Sequence, residues 1–199
     1  ANFTLPQKTE RTPRALSRED FEKIRDVEIP AWRTTHILVR DLFLFACYTG
    51  TAYADAVSVT RDNLYTDDEG CLWLKYRRQK NELRASVKLL PEALALIEKY
   101  HDENRPTLFP MVYHPNLRRH MKSLAVLAGV SSTLCYHQAR HSFASLITLE
   151  AGVPIETISR MLGHSDITTT QVYARVTPKK LFEDMDRYIE ATKDLKLVL

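Results

Sequence analysis

The stretch His137-Gln138-Ala139-Arg140-His141, followed by Leu162-Gly163-His164 and then by Tyr173, decides how this chain is read. His137, Arg140 and His141 stand at i, i+3 and i+4, which puts them on one face of a helix. Their segment opens a predicted helix from about Tyr136 to Glu150, stopped at Ala151-Gly152. A basic face beside a helix amino terminus favours an anion such as phosphate. Two other readings stay open at this point. His137 and His141 could hold zinc, although the glutamate of an HExxH motif and an obvious third ligand are missing. They could also simply cap and pack.

Downstream, Pro154 opens a further helix with Ile155, Ile158 and Leu162 turned inward, and Gly163 ends it and delivers His164. Ser165 or Asp166 caps a short helix containing Tyr173. Thr177-Pro178 starts a final amphipathic helix with Leu181, Met185, Tyr188 and Ile189 on its apolar side. Upstream, Asn116 to Ala128 reads as a helix stopped by Gly129, and Pro91 as the first residue of a helix through Tyr100, with Leu90, Leu94 and Ile97 on one face. Between Leu64 and Leu89 the period changes. Leu72, Leu74 and Tyr76 alternate with Trp73, Lys75 and Arg77, and turns at Asp67–Gly70 and Lys80–Glu82 make a small antiparallel sheet. The apolar segment ending near Tyr48 is a buried helix, capped by Thr34 or Thr35 and stopped at Thr49-Gly50. Ser17 to Asp20 forms a capping box, with Leu16 and Phe21 as a hydrophobic staple. The fold class is mainly α with one small antiparallel β-sheet.

At 199 residues, 44% hydrophobic and 27% charged, the composition is that of a globular domain. No apolar run is long enough for a membrane span, and the amino terminus lacks the order of a signal peptide. Cys47, Cys71 and Cys135 match no disulfide or metal framework, which suits a reducing cytoplasm. A net charge of +3, from 28 basic and 25 acidic residues, does not by itself argue for nucleic acid. The basic residues do cluster, in Lys75–Arg84, Arg118–Lys122 and Lys179–Lys180, although solvated faces look the same.

The ordered set His-x-x-Arg-His, Leu-Gly-His and a tyrosine nine residues after His164 closely resembles the tyrosine recombinase (phage integrase) family, as do HSFASLI at 141–147 and LGHSDITTTQVYAR at 162–175. The resemblance spans essentially the whole chain and implies the catalytic-domain fold of that family. It implies that Tyr173 attacks a DNA phosphodiester, forming a 3′-phosphotyrosyl link and releasing a 5′-hydroxyl. Arg140 would contact the scissile phosphate, supported by His137 and His164, and Lys80 would protonate the leaving oxygen, with Lys75 and Lys88 as alternatives. The chemistry is coherent. A phenol of pKa near 10 is a poor nucleophile at neutral pH, and fixed cations stabilise the charge that builds on the phosphate oxygens. The scheme needs no metal and no cofactor.

One segment departs from the pattern. The family's Thr-Gly-x-Arg-x-x-Glu reads here Thr49-Gly50-Thr51-Ala52-Tyr53-Ala54-Asp55, with alanine in place of the first catalytic arginine. Integrases of some conjugative transposons look similar. Arg78 is the candidate substitute: it lies two residues before Lys80, so a regular strand would point both to one face, while Arg77 would face away.

The resemblance further implies double-stranded DNA as partner, a homo-tetramer on DNA docked through the terminal helix and the tail Leu195–Leu199, and accessory DNA-bending proteins at the bacterial nucleoid. Residues 1–14 read as a linker from a core-binding domain, and 15–199 as the catalytic domain. Integration or excision of a mobile element is the expected function. The rivals are a type IB topoisomerase-like relaxation, a DNA-binding module that has lost catalysis at Ala52, and a zinc-dependent hydrolase.

Overall fold

The computed structural model describes residues 15–130, 134–173 and 178–192; the expected linker and the tail beyond Thr192 lie outside them. Helices α1 (Arg18–Asp26), α2 (Thr34–Thr49) and α3 (Tyr53–Ser58) come first, followed by a single 3-10 turn at Arg61–Asn63. Strands β1 (Leu64–Thr66), β2 (Leu72–Arg77) and β3 (Arg84–Lys88) form an antiparallel sheet in that order. Helices α4 (Pro91–Lys99), α5 (His114–Leu127), α6 (His137–Ser142), α7 (Ile155–Met161), α8 (Thr168–Gln171) and α9 (Pro178–Thr192) complete the chain. Among the described residues, no helix is long and apolar enough to cross a membrane.

The core is built around α2, whose Leu42, Phe43, Phe45, Ala46 and Cys47 are fully buried and which packs on α4, α5 and α6. Phe45 stacks on Phe109 with ring centroids 4.7 Å apart, and the Tyr136 hydroxyl donates to the Leu42 carbonyl at 2.8 Å. Asp41 is buried too, and is matched by Arg40, Lys99 and the Tyr100 hydroxyl, so its charge ties α2 to α4. The Ser17 side chain caps α1 by accepting from Asp20 N, and Leu16 and Phe21 are both buried, as the staple requires. Gly50 ends α2 in the left-handed conformation at φ 72°.

Several boundaries differ from the sequence reading, each for a local reason. Thr34 is the first residue of α2 rather than its cap; Arg33 holds the cap position and makes no side-chain capping bond. Helix α5 starts at His114, two residues before Asn116, because Pro115 is well placed in a first turn. In α4 the fully buried residue is Ala93; Leu94 and Ile97 are half-buried and Leu90 is exposed. The single helix expected from Tyr136 to Glu150 is α6 followed by π-type turns over Phe143–Leu149. There the Thr148 hydroxyl donates to the carbonyls of Phe143 and Ala144 at 3.0 and 2.9 Å, and a hydroxyl set into the backbone ladder loosens it. Helix α8 ends at Gln171, which leaves Tyr173 in the turn just beyond it rather than inside.

In the sheet, Leu74 pairs with Val87 and Tyr76 with Ala85, and all four side chains turn inward. Helix α7 packs on β3, which brings the β2–β3 hairpin beside the loop that follows α7.

Candidate active site

Arg140, on α6, is 2% exposed, which for a guanidinium demands partners. It finds them at two helix ends: Nη1 donates to the carbonyl of Gly50, which caps α2, at 2.6 Å, and Nη2 to that of Leu162, which caps α7, at 2.5 Å. Burial, then the neighbouring Arg78 charge, lower its pKa to about 10, so it stays protonated at neutral pH.

Arg78 reaches the same place by a different route from the one expected. Strand β2 ends at Arg77, and the chain turns at once: Arg78 N donates to Leu83 O and Glu82 N to Arg78 O, both at 2.9 Å, with Glu82 at φ 55°. Arg78 and Lys80 therefore do not share a strand face. Arg78 continues the inward alternation of Leu74 and Tyr76 and is 8% exposed, while the turn leaves Lys80 exposed at the hairpin tip. Arg78 Nη1 donates to the Gly163 carbonyl at 2.9 Å, and its Nε stands 4.0 Å from the Asp55 carboxylate. The other oxygen of Asp55 accepts from Gln79 N at 2.9 Å, fastening the hairpin to α3.

The histidines surround this pair. His137 is exposed at the start of α6; desolvation, then the charges of Arg140, Lys80 and Arg78, lower its pKa, which places Lys80 within electrostatic reach of the site. His164 is half-buried, and its Nδ1 lies 2.7 Å from the Thr170 hydroxyl. With that hydroxyl donating, Nε2 carries the proton and can donate to an anion. Burial first, then Arg140 and Arg78, push the His164 pKa down to about 4. His141 is 6% exposed and is also pushed to about 4, by burial, His137 and Arg140. Its ring meets His137 edge-to-face at 4.6 Å and Tyr173 at 5.0 Å.

Tyr173 is half-buried, with its backbone N donating to Thr170 O at 3.0 Å. Burial raises its pKa, while the charges of Arg140 and Arg78 pull it back down. Behind them stands Tyr76, pushed up to about 12 by burial. Reading the sequence did not give Tyr76 a place in the site. Its inward position in the β2 alternation was the available signal, and only the folded chain reveals that it faces Arg140, Asp55 and Arg78.

Four buried side-chain polar atoms among the described residues have no hydrogen-bond partner, and three of them, Tyr76 Oη, Arg78 Nε and His141 Nε2, belong to this cluster. An unpaired buried polar atom costs about 1–3 kcal/mol, so such a concentration marks a site rather than a flaw in packing. The sole acid beside the two guanidiniums in these interactions is Asp55, which leaves the pocket cationic next to a phenol. Such a pocket can orient a phosphate, stabilise added negative charge on its oxygens and favour loss of the phenol proton. Lys75 and Lys88 are on strands and both exposed; Lys75 lies over the Tyr65 ring at 3.6 Å. Among the described residues, the group of three metal-ligating side chains close enough to share an ion is Asp67, Glu69 and Cys71 in the β1–β2 turn, not the histidines.

The fold has solved counterparts. The XerH site-specific recombinase superposes with a TM-score of 0.65 at 18% identity, covering 94% of this chain and 58% of XerH. The Tn1549 transposon integrase gives 0.66 at 15% identity, over 92% of this chain and 68% of the integrase. The catalytic domain of bacteriophage HP1 integrase gives 0.60 at 18% identity, over 89% and 96%. In sequence, the tyrosine recombinase XerD of Chlorobaculum tepidum is 27% identical over 193 residues, 88% of this chain and 61% of XerD. XerD of Pseudomonas putida is 28% identical over 195 residues, 89% and 62%. The chain thus spans about three fifths of the length of these relatives. Residues 15–180 match the family model described as the phage integrase family, a span that takes in every side chain of the pocket. The chain belongs to the phage integrase family, the tyrosine recombinases.

Proposed function

We propose that this chain cuts and rejoins double-stranded DNA in site-specific recombination, integrating or excising a mobile element, with Tyr173 as the nucleophile. The observation that carries the reading is the meeting of two buried guanidiniums, Arg78 and Arg140, beside Tyr173 in a pocket with three unpartnered polar atoms. The Tyr173 oxygen attacks phosphorus and gives up its proton to solvent water, the bond from phosphorus to the 5′ oxygen breaks, and the DNA is left joined to the tyrosine through its 3′-phosphate. Lys80, at the hairpin tip, gives the leaving oxygen its proton. Arg140 and Arg78 hold the nonbridging oxygens, with His137 and His164 as further donors. The reverse attack by a 5′-hydroxyl rejoins a strand without an external energy source.

Arg78 stands in for the arginine absent at Ala52. Its guanidinium lies beside Asp55, the acid of that same motif, and its charge is felt by both Arg140 and Tyr173. Exposed Arg118, Arg119 and Lys122 on α5 offer phosphate contacts. XerH and the Tn1549 integrase were both crystallised with DNA. In the whole protein's setting the chain works in the cytoplasm, and four copies assemble on DNA with accessory bending proteins. The assembly uses α9, whose Phe182, Met185, Tyr188 and Ile189 are all exposed.

The test is covalent trapping on nicked suicide duplexes cut from candidate element ends. A denaturant-resistant adduct that maps to Tyr173 and disappears in Tyr173→Phe is the expected result. DNA binding by the full-length protein with no adduct overturns the reading in favour of a binding module. Near-normal trapping by Arg78→Ala overturns the role of Arg78 alone.

A further inference from the structure

Tyr173 follows a helix of only four residues, α8, and sits in a turn where its backbone N donates to Thr170 O. Such a short element fixes a side chain poorly, since a single helical turn has little hydrogen bonding of its own. What meets the phenol ring is His141. The two rings lie 5.0 Å apart at 63°, and His141 is itself braced at 4.6 Å and 89° by His137, one helical turn earlier on α6. His141 is 6% exposed, so its ring cannot swing away into solvent, and its backbone carbonyl is tied by the Ser145 hydroxyl at 2.8 Å.

We propose that His141 is the positioning residue for the nucleophile: its ring is the surface against which Tyr173 is set for attack. The inference rests on Tyr173 being the nucleophile. Three features support it beyond mere packing. The contact is edge-to-face, an arrangement that fixes ring orientation as well as distance. The same residue neighbours Arg140 in sequence, so one rigid turn of α6 sets both the phosphate-holding guanidinium and the phenol. Finally, burial and the nearby cations keep the imidazole neutral, which keeps a third full positive charge out of the space beside Arg140. Nε2 makes no hydrogen bond, so the ring serves through its shape and edge rather than as a link in a proton chain.

Single-turnover trapping at saturating DNA, run with DNA-binding and melting measurements on the full-length protein, separates this role from a structural one. His141→Leu keeps the volume without the aromatic edge, and His141→Gln keeps polarity without the ring, as a second variant should the first not fold. Both should form adduct about ten- to a hundredfold more slowly, as misplaced reacting groups do, with DNA affinity unchanged. His141→Phe should recover most of that rate. Wild-type rates in Leu or Gln overturn the proposal, as does a Phe variant no faster than they are, or a loss confined to DNA affinity. If wild type itself forms no adduct, the assignment of Tyr173 falls, and this proposal with it; a wild-type adduct unaffected by these substitutions removes only this one.

Discussion

Arg78 Nη1 donates to the Gly163 carbonyl at 2.9 Å, across 85 positions of chain, and a β-carbon at 163 would lie 2.9 Å from Arg78 Cδ and 3.2 Å from the Arg84 carbonyl. The glycine therefore serves twice. It stops α7 at φ 59° and lets the hairpin come close enough for its arginine to enter the pocket. Gly163→Ala should lose about 1–2 kcal/mol in backbone strain. It should lose far more in trapping, because the side chain displaced is Arg78. Urea denaturation and the trapping rate, measured together, check the disproportion; equal small losses in both would count against it.

Arg140→Lys tests the twin hydrogen bonds. A lysine ammonium is a point charge and cannot span the carbonyls of Gly50 and Leu162 as the fork of Arg140 does. One carbonyl is left unpaired, and stability should fall by about 1–3 kcal/mol. Trapping should fall by about 10²–10³, the loss typical of removing one oriented donor. Chemical denaturation and single-turnover kinetics give the two numbers.

His141 and His164 both titrate at about 4, below the ordinary 6.5. The folded chain holds them neutral, so between about pH 6.5 and 4 the unfolded chain binds protons that the folded one refuses. Stability is then complete above that window and falls as pH drops through it. Urea midpoints at pH 7.5 and 5.0 should show the drop, and His141→Phe should narrow it. A midpoint independent of pH would contradict both assignments.

Asp41→Ala removes a buried carboxylate and strands Arg40 and the Tyr100 hydroxyl, while Lys99, about half exposed, can turn to water. The expected loss is about 2–3 kcal/mol, under the 3–5 typical when both partners of a pair are buried. Melting temperature and denaturant midpoint measure it, and trapping by the folded fraction should stay near wild type, because Asp41 lies on the α4 side of α2.

Met185→Glu combined with Ile189→Glu charges the apolar stripe of α9, which is exposed in the single chain. Melting temperature should hold, since neither side chain is buried. Assembly on DNA beyond one copy per binding site should weaken by at least tenfold in sedimentation or native mass measurements. Unchanged assembly would release α9 from the role proposed for it.

Much of this fold could be read in advance, because its punctuation is strong. Gly50, Gly129 and Gly163 end helices with positive φ where the sequence placed the stops, and the alternation of Leu72, Leu74 and Tyr76 is a strand in the structure. Where the reading missed, a single side chain or turn had outweighed the pattern. The Thr148 hydroxyl converted the end of one expected helix into π-type turns, and a chain reversal just after Arg78 parted Lys80 from the face that Arg78 shares with Leu74 and Tyr76. Of the candidate site, His137, Arg140, His164 and Tyr173 could be picked out through the ordered motifs that resemble the family. Tyr76 could not, and neither could the ring contact of His141, because both depend on which distant residues the fold sets beside α6.

Arg140 also has a place in time. A polypeptide is made from its first residue onward, so the Gly50 carbonyl exists when Arg140 is added, whereas Leu162 and Tyr173 are still to come. A product interrupted before residue 162 has its arginine but no second acceptor and no phenol. The second acceptor of Arg140 and the Tyr173 phenol thus join the pocket only after the arginine itself is in the chain.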